Sequence, residues 1–234
     1  MHVPDGFLDA PTSVATGVVA AAGIAVALRG ARRELDDRTA PMAGLVATFV
    51  FAAQMINFPV GAGTSGHLMG GALAAVLVGP WSAVLCLSVV LLVQGLMMAD
   101  GGITVLGTNI TLIGLVTVVV GWTTFIVLRR LLPARPSSVP VAAALGAFLS
   151  VPVAALVFTL LFSIGGQAPV ELSRVVVAML GWHTLIGLGE AVVTGLVVAS
   201  VISTRPDLVY GARPLLAVRT LEIRTPESDP EVTR

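Results

Sequence analysis

The first two residues, Met1 and His2, can do chemistry that an internal pair cannot. A free α-amine, the amide nitrogen of residue 2 and the Nδ1 atom of His2 can close two fused chelate rings on one metal ion. A second imidazole would complete a set of four nitrogens, and His67 follows a glycine-rich stretch that could supply it. Tetragonal nitrogen sets favour Cu(II) or Ni(II), and imidazole suits several late first-row metals. We therefore predict a metal site wherever the fold brings His2 and His67 together.

This chelate requires that the mature protein begin at Met1 with a free α-amine. No secretory signal is expected, because Pro4, Asp5 and Gly6 precede the first apolar run and no positively charged region stands before it. Met1 is expected to remain in place, since a bulky second residue such as His2 generally blocks removal of the initiator methionine.

The composition predicts an all-α integral membrane protein. The chain is 56% hydrophobic and 11% charged, and apolar runs of about 20 residues are typical of helices that cross a lipid bilayer. A net charge of zero and the absence of lysine leave no basic surface for nucleic acid. The single cysteine, Cys86, excludes an internal disulfide.

Seven transmembrane helices are predicted. Residues 1–204 would form a membrane domain that includes the N-terminal metal-binding segment, and residues 205–234 a polar cytoplasmic tail too short to hold a core of its own. The predicted spans are residues 12–29, 40–58, 67–79, 81–98, 103–132, 139–164 and 174–203.

The arginines predict the orientation of the spans. Twelve of the 13 basic residues lie in the loops after spans one and five or after span seven, and only Arg174 lies on the other side. Positive residues accumulate on the cytoplasmic side of membrane proteins. The N-terminus is therefore predicted outside and the C-terminus inside, so that Met1, His2 and the loop of His67 share the outer face.

Other polar residues near this face are candidates for supporting hydrogen bonds. A histidine that binds a metal usually donates its other N–H group to an oxygen, and polar groups in or near a membrane are costly unless they have a role. The candidates are Asn57, Thr64, Ser65, Asp100 and Asn109.

His183 and Glu190 are seven residues apart and share one face of span seven. Two interpretations are open. His183 could be a further metal ligand, or His183 and Glu190 could form a buried polar pair that locks helices together.

Two other classes of function, an intramembrane protease and a channel, make predictions that the sequence can be compared with. Gly63-Thr64-Ser65-Gly66 fits the Gly-x-Ser-Gly pattern of rhomboid intramembrane proteases, with His183 as the base of a Ser65–His183 dyad. Rhomboids, however, carry the serine two spans before the histidine span, which this order does not match. A channel would need a continuous polar lining, which the few polar residues do not provide. The chain also has no lysine for an ATP-binding P-loop, so it is not expected to hydrolyse ATP by that route. With the protease pattern set aside, a non-enzymatic role is expected.

Four stretches of this sequence resemble the CbiM/NikM family, the membrane substrate-binding (S) components of cobalt and nickel energy-coupling-factor transporters. The resemblance covers roughly residues 1–209, and its most specific parts are the N-terminal octapeptide and the loop that ends at His67. The stretches are MHVPDGFL (1–8), NFPVGAGTSGHL (57–68), DGGITVLGTN (100–109) and HTLIGLGEA (183–191).

The resemblance implies a fold, a site and partners. The fold would be a six-helix substrate-binding core with an extra N-terminal helix. The metal ligands would be the amine of Met1, the amide and imidazole of His2, and the imidazole of His67. Co²⁺ or Ni²⁺ would be the transported substrate, and the resemblance does not distinguish between the two metals. The implied partners are a transmembrane coupling (T) component, two ATPase (A) subunits and a small accessory membrane subunit.

The orientation can be tested by labelling. A cysteine placed at Ala62 should react with a membrane-impermeant thiol reagent added from outside the cell, because the loop of His67 is predicted on the outer face. A cysteine at Ser137, between spans five and six, is the matched control and should react only from the cytoplasmic side. Labelling of position 62 from the cytoplasm would contradict both the orientation and the site.

Overall fold

The computed structural model describes residues 1–35, 39–61 and 64–217. This part of the chain is mostly helical, and five of its helices are long and apolar enough to cross a membrane. The prediction of a helical membrane protein is confirmed at this level. The main helices are α1 (Ala10–Ala31), α2 (Ala40–Gln54), α3 (Gly71–Val78), α4 (Pro80–Met97), α5 (Leu106–Leu131), α6 (Ser138–Gly165) and α7 (Leu172–Thr204).

Two of the predicted spans are shorter than expected. The predicted span 40–58 is helical only to Gln54, and an antiparallel hairpin of β1 (Phe58–Gly61) and β2 (Thr64–Gly66) follows it. The prediction that residues 67–79 form a helix is wrong for residues 67–70, because α3 begins only at Gly71. Its eight residues cover about 12 Å, too little to cross a bilayer.

The irregular stretch before α3 exists because side chains from other helices satisfy its backbone. Gly70 has a φ of +80°, which favours glycine. The carboxylate of Glu190 in α7 accepts hydrogen bonds from the backbone N–H groups of Met69 (2.7 Å) and Gly70 (2.9 Å). The amide of Gln54 in α2 donates to the Met69 carbonyl at 2.8 Å. Non-helical backbone inside a membrane protein needs such internal partners.

Small residues bring the central helices close together. All eight residues of α3 are buried. A Cβ atom added at Gly146 of α6 would lie 2.6 Å from the Gly121 carbonyl oxygen of α5, which no real contact allows. Close helix approach through small side chains is the usual packing mode in membranes. The core of the bundle is therefore built around the short α3.

The N-terminal segment, residues 1–9, is anchored at one end of the bundle, called here the N-terminal end. Leu8 pairs with Gly166, just after α6, and the Phe7 carbonyl accepts a hydrogen bond from the Gln167 N–H group at 3.0 Å. The side chain of Asp9 accepts a hydrogen bond from the Thr12 N–H group at 2.9 Å and so caps α1. From Leu8 the chain leads back to Met1, which is only 1% exposed.

Part of the predicted tail packs on the bundle. Two short 3₁₀ turns and a helix, α8 (Arg213–Ala217), follow α7. Val209 and Ala212 are buried in the same hydrophobic cluster as Phe125 of α5. Residues 218–234 lie outside the described part of the chain.

At the end of the bundle opposite Met1, Glu34 caps the start of α4. Its side chain is 3% exposed, and its carboxylate accepts hydrogen bonds from the N–H groups of Trp81 (3.2 Å) and Ser82 (2.7 Å) and from the Ser82 hydroxyl (2.9 Å). A carboxylate at a helix N-terminus satisfies free N–H groups and interacts favourably with the helix dipole.

Replacing Glu34→Ala should lower the free energy of unfolding by about 1–3 kcal/mol, because buried N–H groups lose their acceptor. Unfolding in detergent, followed by circular dichroism, measures the change. The control is Glu171→Ala: the Glu171 side chain is 72% exposed and pairs with the exposed Arg174, so its loss should cost less than about 1 kcal/mol. Equal effects of the two substitutions would contradict this assignment.

Candidate metal centre

The structure brings the three predicted ligand residues together. The α-amine nitrogen of Met1 lies 2.5 Å from the Nε2 atom of His67, and both residues are 1% exposed. The rings of His2 and His67 stack with their centroids 4.5 Å apart and an angle of 25° between their planes. A main-chain amine and two imidazoles therefore share one buried space.

His67 presents Nε2 to this space because its other ring nitrogen is occupied. Its Nδ1 atom lies 2.8 Å from the Leu68 carbonyl oxygen, which can only accept a hydrogen bond. Nδ1 must therefore carry the proton, and the lone pair of Nε2 is directed at the amine. A carbonyl partner of this kind fixes the ring of a metal-binding histidine.

The N-terminal segment is held by hydrogen bonds to its backbone. The amide of Asn109 accepts from the Val3 N–H group at 2.7 Å and donates to the Val3 carbonyl at 3.2 Å. The Gly102 N–H group donates to the same carbonyl at 2.9 Å. The carboxylate of Asp5 accepts hydrogen bonds from the N–H group and hydroxyl of Thr104. Residues 1–5 are thus aligned along the 100–109 segment.

A distinctive helix geometry follows Asn109. The first turn of α5, Leu106–Asn109, is α-helical, and the next seven residues, Ile110–Val116, form a π-helix. π-helical segments change the direction in which side chains project, and they are frequent at functional sites. No local sequence pattern predicted this π-helical segment.

Asp100 adds a negative charge beside His2. One carboxylate oxygen lies 3.0 Å from the His2 Nδ1 atom, and the other accepts a hydrogen bond from the Asn57 amide at 3.2 Å. Burial acts to raise the pKa of Asp100, but the contacts with His2 and Asn57 outweigh it and hold the pKa below its usual range. The predicted chelate needs Nδ1 of His2, so binding of a metal there would replace the contact with Asp100.

The charge state of the Met1 amine depends on its burial. Burial lowers the pKa of the Met1 amine to about 4, although the charge of Asp100 opposes the shift. The Nε2 atom of His67 has no proton to displace, because the ring proton is on Nδ1, whereas the Nδ1 atom of His2 faces the carboxylate of Asp100 and must give up its proton before it can bind a metal.

His183 and Glu190 do not form the buried pair that was one of the two interpretations. His183 uses Nδ1 to contact the Met179 carbonyl of its own helix at 2.8 Å. Its Nε2 atom is buried and has no hydrogen-bond partner among the described residues. Glu190 instead binds the backbone of Met69 and Gly70. It therefore links helices through the loop that carries His67, a role that requires long-range contacts to recognise.

The described residues hold no group of three or more His, Cys, Asp or Glu side chains placed to share a metal ion. The main-chain amine of Met1 lies 2.5 Å from the Nε2 atom of His67 and adds a nitrogen donor that such a group would not include. Within the described residues, His183 is not part of a group of side chains placed to share a metal ion.

The remaining predicted residues lie in the hairpin before His67. Ser65 in β2 is paired with Pro59, and its buried hydroxyl has no hydrogen-bond partner within residues 1–35, 39–61 and 64–217. The Ser65–His183 dyad of the protease alternative is therefore not formed. The side chain of Thr64 lies outside the described part of the structure.

A known family matches nearly the whole chain. The profile described as "CbiM: Cobalt uptake substrate-specific transmembrane region" matches residues 2–208. The chain belongs to the CbiM family. It is 37% identical over 210 residues to a putative metal transport protein of Haloquadratum walsbyi, covering 90% of this chain and 94% of that protein.

Further CbiM-family relatives are named for both metals. The cobalt transport protein CbiM of Sorangium cellulosum is 33% identical, with 89% of this chain and 94% of that protein covered. A putative fused nickel transport protein NikMN of Archaeoglobus fulgidus is 37% identical, and the match covers 89% of this chain and 68% of that protein. A crystal structure of a transition metal transporter superposes with a TM-score of 0.81 at 26% identity, covering 94% of this chain and all of that one.

Asn109 offers a test of how this CbiM-family protein positions its N-terminus. Asn109→Ala should reduce metal affinity about tenfold or more without removing a ligand, because two hydrogen bonds to the Val3 backbone are lost. Isothermal titration with Co²⁺ or Ni²⁺ measures the change.

Asn109→Asp is the matched variant, since it keeps an acceptor for the Val3 N–H group and should bind more tightly than Asn109→Ala. Thermal unfolding without metal separates a loss of positioning from a loss of fold. Wild-type affinity in a folded Asn109→Ala protein would show that Asn109 does not position the amine.

Proposed function

We propose that this protein is the substrate-binding component of an ATP-driven uptake transporter for Co²⁺ or Ni²⁺. The observation that carries the proposal is the 2.5 Å approach of the Met1 amine to Nε2 of His67 in a buried site. Two nitrogen atoms held this close in a buried site can both donate their lone pairs to one divalent ion.

The proposed ligands are four nitrogens. They are the amine of Met1, the amide nitrogen and imidazole of His2, and the imidazole of His67. This set suits late first-row metals in tetragonal geometry. Binding requires loss of the proton on the His2 amide, and the ionised Asp100 beside the site would help to balance the charge of the ion. The proposal covers both metals, since relatives are named for both.

The proposed topology places this site at the outer face. Seven membrane segments with the N-terminus outside follow from the arginine distribution. In this arrangement the third segment crosses as the loop 67–70 plus α3, because α3 alone is too short. The ion would therefore be captured from outside the plasma membrane and lie within the bundle.

The energy for transport would come from other chains. This sequence has no lysine and so no P-loop of the usual form. The family resemblance points to a transmembrane coupling component, two ATPase subunits and a small accessory membrane protein.

Release of the ion requires separating two parts of the fold. The amine and His2 belong to the N-terminal segment, which is fixed to the end of α6 and to the 100–109 segment. His67 belongs to the loop that Glu190 and Gln54 hold. A movement of α2 or α7 relative to the N-terminal segment would separate His67 from the amine and so remove one of the four proposed metal ligands.

The covalent spacing of the chelate gives a sharp test. One residue added before Met1, or acetylation of its amine, should reduce Co²⁺ and Ni²⁺ affinity by about a hundredfold or more, because a ligand bound directly to the metal is displaced or blocked. His67→Ala should do the same. Titration calorimetry and metal analysis of the purified protein provide the measurement.

The controls are a tag at the C-terminus and His183→Ala, both of which should bind metal. His183→Ala removes a buried side chain outside the proposed ligand set and should mainly lower stability. A protein that retains an N-terminal tag and still binds one ion at wild-type affinity would refute the chelate.

A further inference from the structure

A cavity of about 500 Å³ lies at the end of the bundle opposite Met1. Its wall combines arginines with aromatic rings, contributed by the ends of α1 and α5 and by the segment after α7. The charged and aromatic lining residues are Arg33, Arg129, Arg130, Arg213, Trp122 and Tyr210.

The four arginines of this cavity have no acidic partner among the described residues. The ion pairs found there involve other residues: His2 with Asp100, Arg174 with Glu171, and Arg205 with Asp207. The Nη1 atom of Arg129 is buried and lacks a hydrogen-bond acceptor in the same part of the chain. Four positive charges around one cavity, one of them with a buried unpaired donor, favour an anion.

Aromatic rings hold the shape of the cavity. Trp122 stacks on Phe125 with the ring centroids 5.3 Å apart, and it packs against Tyr210 at 5.7 Å. The guanidinium of Arg213 lies 4.8 Å from the Tyr210 ring centroid, in position for a cation–π contact. The arginines therefore stand on an apolar wall, which suits a ligand with both charged and apolar parts.

A second, apolar cavity of about 670 Å³ continues from the first and shares Trp122 and Tyr210 with it. It runs along α1 and α5, where Val19, Val26 and Val119 are about half exposed. The acidic residue at its edge, Glu34, is buried and already accepts hydrogen bonds from the start of α4. The groove is therefore suited to hold an extended acyl chain along α1 and α5.

We propose that the two cavities together bind an anionic phospholipid, with its phosphate among the arginines and an acyl chain in the groove between α1 and α5. Arginine clusters between membrane helices recognise anionic headgroups, and guanidinium groups pair well with phosphate. A free phosphate would use the first cavity and leave the groove without a role. An acidic protein segment would likewise have no use for the long apolar groove.

The proposal can be tested with purified, delipidated protein in neutral detergent, using native mass spectrometry. Phosphatidylglycerol and phosphatidylcholine with the same acyl chains are titrated in parallel. Wild-type protein should bind phosphatidylglycerol about tenfold more tightly. Arg33→Gln with Arg130→Gln should abolish this preference; both side chains are exposed, so the fold should be retained.

The matched control is Arg32→Gln with Arg135→Gln, which removes the same charge from exposed arginines at the same end but outside the cavity. It should keep the preference. Retained Co²⁺ binding shows that both proteins are folded. Equal binding of the two lipids by wild-type protein, or equal loss of preference in both double variants, would overturn the proposal.

Two further measurements distinguish the other anions. Val119→Trp, which fills the exposed groove, should weaken binding of phosphatidylglycerol but not of inorganic phosphate. Inorganic phosphate that binds as tightly as the lipid, with no effect of Val119→Trp, would identify a soluble anion instead. If no lipid preference exists and Arg33→Gln with Arg130→Gln releases a co-purified membrane partner, the cavity is a protein interface.

Discussion

The contact between the Met1 amine and the Nε2 atom of His67 is the constraint on which the rest of this structure depends. Burial disfavours the charged form of the amine and lowers its pKa to about 4, so the amine lies beside His67 in its uncharged form. The surrounding contacts serve this arrangement. Asn109 fixes the backbone of Val3, and the pairing of Leu8 with Gly166 sets how far the chain end reaches into the bundle.

The other half of the contact depends on a stretch of backbone that is not helical. Residues 67–70 precede α3 and are not helical, although the sequence predicts a membrane span that begins at residue 67. Their backbone polar groups must be satisfied inside the protein. Glu190 and Gln54 do this from two different helices, α7 and α2. The loop of His67 is therefore held by α2 and α7. Because a movement of either helix would also move His67, we propose that the ion is released by a change in this region.

The two ends of the bundle have opposite chemistry. The N-terminal end gathers neutral nitrogen donors and one carboxylate, Asp100, around a small buried space. The other end gathers arginines on an aromatic wall beside an apolar groove. Both arrangements exist because the helix ends position groups that are distant in sequence, and each suits a ligand of opposite character: a cation at one end and an anionic lipid at the other.

Some features were determined by the sequence alone. Apolar runs separated by Pro80 and by arginine-rich loops predict helices, because hydrophobicity and proline act locally. Met1, His2 and His67 could be proposed as ligands, since chelate rings depend on covalent spacing. Tertiary structure alone decided the rest. The irregular loop before α3, the partners of Glu190 and the π-helix after Asn109 depend on hydrogen bonds and packing between residues far apart in the chain, and no local pattern reports those contacts.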